Sequence, residues 1–234
     1  MPSQLKSASQ GQTLILTLSN PEYRNALGPE IYAAGIEALS VAESNPEIHS
    51  VVLTGEGEHF CAGGNLNRLL ANRDKPPEHQ AQSIEGLHSW MEAIRTFPKP
   101  VIAAVEGAAA GAGFSVVLMC DLVVAARNSV FVMAYSSVGL SPDGGATWSL
   151  GRNLPRAISS EILLLGERIG AERINGRASN ALSSIKELLD VSVDNEMHTH
   201  LAAERDHFVR NLHHPNGGIG IQAFLNKEKP QYKS

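Results

Sequence analysis

The stretch KPVIAAVEGAAAGAGFSVVLMCD, from Lys99 to Asp121, decides the fold of this chain. An apolar, β-like run, Val101–Val105, leads into a turn of small residues, Gly107–Gly113, and a second apolar run then stops at Asp121. Because Gly and Ala have little or no side chain, another molecule can lie close to the backbone here. A helix that starts near Gly113 would add free N–H groups and a positive dipole end, which favour an anion. The stretch therefore predicts either an anion-friendly turn or a buried helix–strand crossing that needs small residues for packing.

Length and composition predict one domain, or one domain with an appendage, for these 234 residues. A net charge of −5 argues against general nucleic-acid binding, which needs a basic surface. The two cysteines, Cys61 and Cys120, stand among apolar or small residues, and we interpret them as buried free thiols in a reducing compartment. The N-terminal residues lack an apolar signal-peptide core, and the apolar stretch between Glu106 and Asp121 is too short to span a membrane. We expect a cytoplasmic protein without nucleic-acid or membrane partners.

Strand-like and helix-like segments alternate along most of the chain. The β-like segments are Thr13–Leu18, Ser50–Thr54, Val101–Val105, Leu122–Ala126 and Val130–Met133. The helical segments begin at Pro29, Leu66, Ile84, Ala146 and Ile158, and the chain from Ala178 onward is mostly helical. This order predicts an α/β core over residues 1–174 and a C-terminal helical region over residues 175–234.

Five motifs, in their order and spacing, resemble the crotonase (enoyl-CoA hydratase/isomerase) superfamily. They are Asn20-Pro21 with Arg24-Asn25-Ala26-Leu27, Val51–Gly55 leading to Phe60-Cys61-Ala62-Gly63, Lys99–Val105, Gly111-Ala112-Gly113 with Cys120-Asp121, and Gly139-Leu140-Ser141-Pro142-Asp143-Gly144-Gly145. The resemblance covers residues 13–174, with a weaker match in the tail at Ala203–Asp206 and Ala223–Leu225. It implies a crotonase-like spiral of ββα turns with a C-terminal helical region that trimerises, an acyl-CoA thioester substrate, no metal, and no cofactor beyond the CoA moiety of that substrate.

The resemblance also implies two backbone N–H groups that hold the thioester oxygen. By motif they belong to Gly64, which follows Phe-Cys-Ala-Gly, and to Ala112, at the centre of Gly-Ala-Gly. An enolate-like intermediate needs such preorganised donors, and one donor is worth about 3 kcal/mol of transition-state stabilisation. The alternative interpretation is that both motifs are only tight turns.

The two glutamates that hydratases of this superfamily use are absent. Their places hold Ser115 and Tyr135, and neither side chain can hold and deliver a proton near neutral pH as a carboxylate does. Asp143 stands where related isomerases place an aspartate. We expect Asp143 to remove a proton from the carbon next to the thioester and to return it two carbons away, which is a double-bond isomerisation. Asp143 could instead cap the helix that begins near Ala146, or be a plain turn residue.

Three other functions stay open. The main alternative is an enoyl-CoA hydratase of fatty-acid degradation. A non-catalytic acyl-CoA-binding trimer would explain the loss of both glutamates, but not the retention of the oxyanion turns. The 4-chlorobenzoyl-CoA dehalogenases also resemble this region, with an aspartate nucleophile at position 143, an aromatic residue at position 135, and a histidine. His88 is the possible counterpart of that histidine, although we expect a histidine on such a polar helix to be exposed.

Contacts to CoA are implied for a further set of positions: Arg24, Ala26, Ala62, Gly64, Leu66, Phe224 and Lys227. In relatives the tail residues sometimes reach CoA from a neighbouring subunit, and we expect a homotrimer or a dimer of trimers. The C-terminal histidines match no standard metal site in their spacing, so we expect no metal there. They are His198, His200, His207, His213 and His214.

The chain departs from the family pattern after Ile174. The family continues there with a Gly-Leu-Val strand and another helix, whereas this chain passes directly to Asn175-Gly176-Arg177. Either the deletion is real, or a loop of the natural protein has been left out of this sequence, and we favour the second. An intact mass of the natural protein well above 25.0 kDa would confirm an omitted loop.

Overall fold

The computed structural model describes residues 3–166 and 177–233. Their strands are β1 (Gln4–Gln10), β2 (Thr13–Ser19), β3 (Ser50–Gly55), β4 (Val101–Val105), β5 (Ala108–Ala110), β6 (Leu122–Ala125) and β7 (Val130–Val132). Their helices are α1 (Pro29–Ser44), α2 (Leu66–Asn72), α3 (Pro77–Arg95), α4 (Ala112–Met119), α5 (Ala146–Asn153), α6 (Arg156–Ser160), α7 (Ser179–Val191), α8 (Met197–His213) and α9 (Pro215–Leu225). Short 3₁₀ turns lie at Pro21–Tyr23 and Ala134–Val138, and a π turn lies at Glu161–Leu165.

The described chain groups into two compact units. The first unit comprises residues 1–65 and 86–131, and the second comprises residues 66–85 and 132–234. The predicted boundary between residues 174 and 175 lies outside the described residues and stays a prediction. The predicted α/β chain with a C-terminal helical region is confirmed.

A five-stranded sheet forms the centre of the first unit. Its strand order is β1-β2-β3-β4-β6, with β1 antiparallel to β2 and the remaining neighbours parallel. Leu16, Leu53 and Ala103 face one another across β2, β3 and β4, and all three are buried. Burial alternates along β4 between buried and half-buried residues, so one face of the sheet is buried more deeply than the other.

Two strands, β1 and β5, are absent from the sequence predictions. The edge strand β1 was not predicted, because its sequence QLKSASQ is mostly polar and exposed, and it is held by antiparallel pairing with β2. The predicted strands β6 and β7 both exist, but they join different sheets. β6 extends the large sheet beside β4, and β7 pairs with β5. The partners of such short strands depend on contacts far away in the chain, which a local pattern does not contain.

Helices α1 and α3 pack together through a glycine. Helix α1 begins at Pro29, as predicted, because the missing N–H of proline costs nothing in the first turn. A methyl group added at Gly35 would lie 2.2 Å from the indole nitrogen of Trp90, so only glycine lets the two helices approach this closely. Trp90 also stacks on Tyr32 with 6.1 Å between the ring centroids. Helix α3 starts earlier than the predicted Ile84, at Pro77.

The stretch Lys99–Asp121 forms β4, β5 and α4 in succession. Asp121 links the end of this stretch to the start of β4 by two hydrogen bonds. Its carboxylate accepts the Val101 N–H at 2.9 Å, and its own N–H donates to the Val101 carbonyl at 2.9 Å. Gly113 lies against Cys61, since an added methyl group would be 2.5 Å from the Cys61 carbonyl oxygen. The small residues therefore do serve close packing, and the helix start at Ala112 is also present.

The second unit is mostly helical. Its buried apolar side chains come from every helix after α6, with Ile185 and Leu188 on α7, Leu201 and Phe208 on α8, and Ile221 on α9. Within the described ranges, no helix is both long and apolar enough to cross a membrane.

Candidate functional site

In the first unit, the two predicted oxyanion donors lie on neighbouring loops. The loop with Gly64 is bound to the turn with Ala112 by ladder-like hydrogen bonds, from the Cys61 N–H to the Ala108 carbonyl (3.0 Å) and from the Ala110 N–H to the Cys61 carbonyl (2.8 Å). Ala112 is the first residue of α4, where backbone N–H groups have no partner within the helix. Among residues 3–166 and 177–233, neither the Gly64 nor the Ala112 amide donates to a protein acceptor. Both N–H groups are thus available to an anionic oxygen.

Gly63 explains why these two loops can approach so closely. Its φ is +88°, in the region that favours glycine, and a methyl group built on it would lie 3.1 Å from the Ala112 nitrogen and 2.7 Å from the Ala110 carbonyl oxygen. The structure therefore brings the Gly63–Gly64 and Gly111–Ala112 peptides together. The positions predicted by motif are confirmed as neighbours, while their role as donors stays a prediction.

The turn that contains Arg24 is fixed by the side chain of Asn25. Asn25 is fully buried and donates to the carbonyls of Glu56 (2.9 Å) and His59 (2.7 Å), while its oxygen accepts the Asn20 N–H at 2.9 Å. The Arg24 carbonyl accepts the N–H of Ala62, so this turn also supports the loop that carries Gly64. The Arg24 side chain itself is exposed. An exposed cation beside this loop suits a phosphate-bearing ligand.

Ser115 lies inside α4 and is fully buried. Its hydroxyl is 3.5 Å from the Gly111 carbonyl oxygen, in the preceding turn of the helix. A serine that bonds back to its own helix has no titratable proton near neutral pH. The position where a hydratase holds its first glutamate is therefore occupied by a small polar side chain of the helix interior.

In the second unit, Tyr135 and Asp143 form a buried pair. The Tyr135 hydroxyl donates to the Asp143 carboxylate with 2.5 Å between Oη and Oδ1. Both side chains are nearly inaccessible to solvent, and the Tyr135 ring stands edge-on to Phe208 with 6.4 Å between centroids. Burial raises the pKa of Asp143 to about 6, although the hydrogen bond from Tyr135 favours the carboxylate and opposes the rise. Asp143 is thus a carboxylate poised to exchange a proton near neutral pH.

The N-cap residue of helix α5 is Gly145, two residues after Asp143, and glycine has no side chain with which to cap a helix. A side chain from α8 supplies acceptors at this helix start. Glu204 accepts the Gly145 N–H at 2.5 Å, the Thr147 N–H at 2.9 Å and the Thr147 hydroxyl.

A buried histidine completes this cluster. The Nε2 atom of His200 is 2.6 Å from the Thr147 hydroxyl oxygen and 3.7 Å from a Glu204 oxygen. Burial, then the positive charges of Arg152 and His207, lower the pKa of His200 to about 4. Burial raises the pKa of Glu204 to about 7, the hydrogen bonds from Thr147 and Gly145 lower it, and the charge of Asp143 raises it.

Two sequence predictions about side-chain burial are wrong, one for His88 and one for Cys120. His88 is buried, not exposed, because α3 turns that side of the helix into the core beside Leu87 and Met91. Cys61 is a buried free thiol as predicted, whereas Cys120 is only half-buried at the end of α4.

The His, Cys, Asp and Glu side chains of the described ranges contain no group of three that could hold a metal ion.

The remaining predicted CoA contacts are divided between the units. Ala26 is buried and Ala62 half-buried in the first unit, beside the turn of Arg24. In the second unit Leu66 is the first residue of α2, Phe224 lies 56% exposed near the end of α9, and Lys227 follows it with a φ of +58°. Their contact with CoA stays a prediction.

Glu204 is the residue whose importance the sequence patterns did not predict. It entered only as part of the weak tail match at Ala203–Asp206. A signal was nevertheless present, because Glu204 follows Leu201 by three residues and precedes Phe208 by four, which places a carboxylate on the apolar face of α8. A charged residue on such a face is buried only when it is paired or hydrogen-bonded.

Comparison with known proteins identifies the family of this chain. The family model for enoyl-CoA hydratase/isomerase matches residues 9–176. The 1,2-epoxyphenylacetyl-CoA isomerase of Escherichia coli K12 is 33% identical over 246 residues, covering 94% of each chain, and the 2,3-dehydroadipyl-CoA hydratase of the same strain is 31% identical, covering 99% of each. A crystal structure of an enoyl-CoA hydratase from Polaromonas sp. JS666 is 64% identical, covers 98% of this chain and 100% of that one, and superposes with a TM-score of 0.70. This chain belongs to the enoyl-CoA hydratase/isomerase family and is an enzyme of the crotonase superfamily.

Proposed function

We propose that this enzyme moves the double bond of an enoyl-CoA thioester, with Asp143 as the acid/base. The observation that carries the proposal is the buried pair of Asp143 and Tyr135. Asp143 has a pKa raised to about 6, while the place of the second hydratase glutamate is filled by its hydrogen-bond donor Tyr135. A proton transfer between two carbons needs one group that can both take and return a proton, and Asp143 fits that task.

The proposed mechanism has two proton transfers. The Asp143 carboxylate takes a proton from the carbon next to the thioester carbonyl, and the electron pair of that C–H bond shifts toward the carbonyl oxygen to form an enolate. The N–H groups of Gly64 and Ala112 stabilise the oxyanion. The protonated Asp143 then returns the proton two carbons away, and the double bond moves by one position. The reaction is redox-neutral and consumes no water, so it calls for no cofactor beyond the CoA moiety of the substrate.

Hydration is the second candidate, because relatives carry both names. The 33% identical relative is named an isomerase, and the 31% and 64% identical relatives are named hydratases. Hydration in this superfamily uses two carboxylates to place and split a water molecule. Ser115 and Tyr135 stand at those positions here, which favours isomerisation.

The experiment is to incubate the enzyme separately with 2-enoyl- and 3-enoyl-CoA and to follow double-bond migration and hydration. We expect migration, and we expect Asp143→Asn to lower its kcat by about 1000-fold, within the range for loss of an essential acid/base. Asp74→Asn is the matched control, because Asp74 is exposed and lies elsewhere in the second unit, and it should keep wild-type turnover.

Each other outcome has a distinct meaning. Hydration at a rate comparable to other hydratases would contradict the assignment of Ser115 and Tyr135 as non-catalytic replacements. Migration that persists in Asp143→Asn would remove Asp143 from the mechanism. Tight CoA binding without turnover of either substrate would instead support an acyl-CoA-binding role.

We also propose a cytoplasmic homotrimer or dimer of trimers that binds CoA through the positions identified by motif. Strands β6 and β7 support an assembly, because Leu122, Val124 and Val130 are each more than half exposed. Apolar side chains that cluster at a surface commonly mark a contact with another protein surface. The proposal requires a native particle of three or six times the 25.0 kDa chain mass. The free thiols of Cys61 and Cys120 suit a reducing compartment.

A further inference from the structure

A carboxylate from the C-terminal region, Glu204, holds the loop that carries Asp143. Its side chain has no solvent exposure, and it spans 57 to 59 residues of sequence to accept the N–H groups of Thr147 and Gly145. Gly145 is two residues beyond Asp143, so the hydrogen bond to its backbone lies next to the proposed base. The mechanism above gives Glu204 no chemical step.

The backbone of this loop is rich in glycine. Gly144 and Gly145 have φ values of +65° and +79°, two successive left-handed residues without side chains of their own. Glycine gains the most backbone freedom when a restraint is removed. Glu204 restrains this segment on both sides of the α5 start, through Gly145 before the helix and Thr147 within it.

The protons of the surrounding cluster can be assigned from geometry. The Thr147 hydroxyl uses its single proton to donate to Glu204. In its contact with His200, the same oxygen must therefore be the acceptor, and the Nε2 atom of His200 carries the proton. The Nδ1 atom of His200 then accepts from the side-chain amide of Asn195, which lies 3.4 Å away. His200 is therefore neutral, in agreement with its lowered pKa. Glu204 receives three donors, which favour its carboxylate form and oppose the burial that raises its pKa to about 7.

We propose that Glu204 is the positioning residue of Asp143, acting through the Gly145 and Thr147 amides and supported by the chain Asn195–His200–Thr147. This inference rests on the proposed function, because it assigns Glu204 a role in the chemistry only through Asp143. Misplacing a reacting group by about 1 Å can cost roughly 100-fold in rate even when the group itself is intact. The effect of losing Glu204 should thus fall on the chemical step rather than on CoA binding.

The test is Glu204→Gln in the full-length protein, with 3-enoyl-CoA as substrate. Glutamine keeps the size of the side chain, but its NH₂ group would face the N–H of Gly145 and leave that donor unpaired. We expect kcat to fall about 10- to 100-fold, with a KM close to that of the wild type. Glu196→Gln is the matched control, because Glu196 is exposed just before α8, and both of its kinetic constants should stay at wild-type values.

A double-mutant cycle separates positioning from general destabilisation. If Glu204 acts through Asp143, Glu204→Gln should lower the residual rate of Asp143→Asn by less than about twofold, because the base that it positions is already absent. An equal loss in both backgrounds would overturn the inference, and so would a folded Glu204→Gln enzyme with wild-type kcat. If Glu204→Gln does not fold, Thr147→Val removes only the bridging hydroxyl. It should also lower kcat at constant KM, and wild-type kcat would again overturn the inference.

The same variants distinguish failure of the proposed function from failure of the positioning role of Glu204. Wild-type migration by Asp143→Asn would contradict the proposed function and this inference together. An inactive Asp143→Asn beside a fully active Glu204→Gln would contradict the inference alone.

Discussion

Tyr135 donates one hydrogen bond to Asp143, the proposed base. Its hydroxyl stabilises the carboxylate form of Asp143 in surroundings where burial favours the protonated form. This is a different function from that of the glutamate that hydratases hold at the same place. In the proposed mechanism, the phenol at this place therefore lowers the proton affinity of Asp143, the one carboxylate assigned a chemical step.

Replacement of Tyr135 by Phe should move the pH dependence of kcat. Without the donor, the pKa of Asp143 rises above about 6, and the base is deprotonated only at higher pH. A hydrogen bond to a charged group is worth about 1.5–3 kcal/mol, so the acidic limb of the kcat profile should move up by roughly one to two pH units. The measurement is kcat for 3-enoyl-CoA migration across the pH range in which the enzyme stays folded.

The matched control for this prediction is Tyr232→Phe. Tyr232 is half-buried in the second unit, and its hydroxyl donates to the Ser137 carbonyl at 2.9 Å, so Tyr232→Phe also removes one phenolic hydrogen bond. The acidic limb of the kcat profile of Tyr232→Phe should coincide with that of the wild type. A Tyr135→Phe enzyme whose rate is reduced equally at every pH would instead indicate that Tyr135 itself transfers a proton.

At the scale of elements, the proposed oxyanion turn is a loop at Gly63 that packs against the start of α4. Gly63 makes this approach possible, because any side chain there would meet the Ala110 carbonyl and the Ala112 amide. The geometry of the two donors therefore depends on a residue that donates nothing itself.

Gly63→Ala should disable this element. The added methyl group is strained at a φ of +88° and would push the Ala112 amide away from the Gly64 amide. Loss of one oxyanion donor typically lowers kcat by about 100- to 1000-fold, and we expect a loss of that order in a 3-enoyl-CoA migration assay. Binding of free CoA, measured by calorimetry, should change much less, because CoA has no thioester oxygen.

Gly57→Ala is the control that separates backbone strain from a steric clash with neighbouring atoms. Gly57 has a similar φ of +76°, but the nearest atom to an added methyl group is 3.9 Å away, on Pro21. Gly57→Ala should therefore destabilise the fold by a comparable strain of about 1 kcal/mol and keep its kcat. If the two variants lose kcat equally, the oxyanion assignment of this turn would be contradicted.

The strands and turns that sequence patterns predict well are those in which local chemistry and tertiary contacts agree. Val101–Val105 and the start of α1 at Pro29 have their predicted bounds, because a buried apolar run and a proline each restrict the backbone strongly. The polar strand β1 was missed since its pairing partner, and not its composition, determines it. In the site, the motif singles out position 143, whereas the hydrogen bonds that Asp143 and Gly145 receive from and give to Tyr135 and Glu204 depend on residues 8 and 59 positions away.

At the scale of the whole molecule, a buried base costs stability. The folded protein holds the Asp143 proton more tightly than the unfolded chain does, because its pKa is about 6 instead of the ordinary 3.8. Its contribution to stability is therefore fully present below about pH 4 and is lost as the pH rises through about 6. Above that pH, the folded state carries a desolvated charge that the unfolded chain solvates freely.

Asp143→Asn should accordingly be less active and more stable. Asparagine is neutral at every pH and can still accept the Tyr135 hydroxyl, so the variant lacks the cost that the wild type bears at neutral pH. We expect the difference in unfolding free energy between variant and wild type to grow by about 1–3 kcal/mol between about pH 4 and pH 7.5. The charge of Asp143 also raises the pKa of Glu204, so its removal lessens that second cost as well, and both effects increase the difference in the same direction. Urea unfolding at each pH measures the difference. A difference that is constant with pH would mean that Asp143 is solvated in the folded protein, and the proposal that burial prepares it as a base would fail with it.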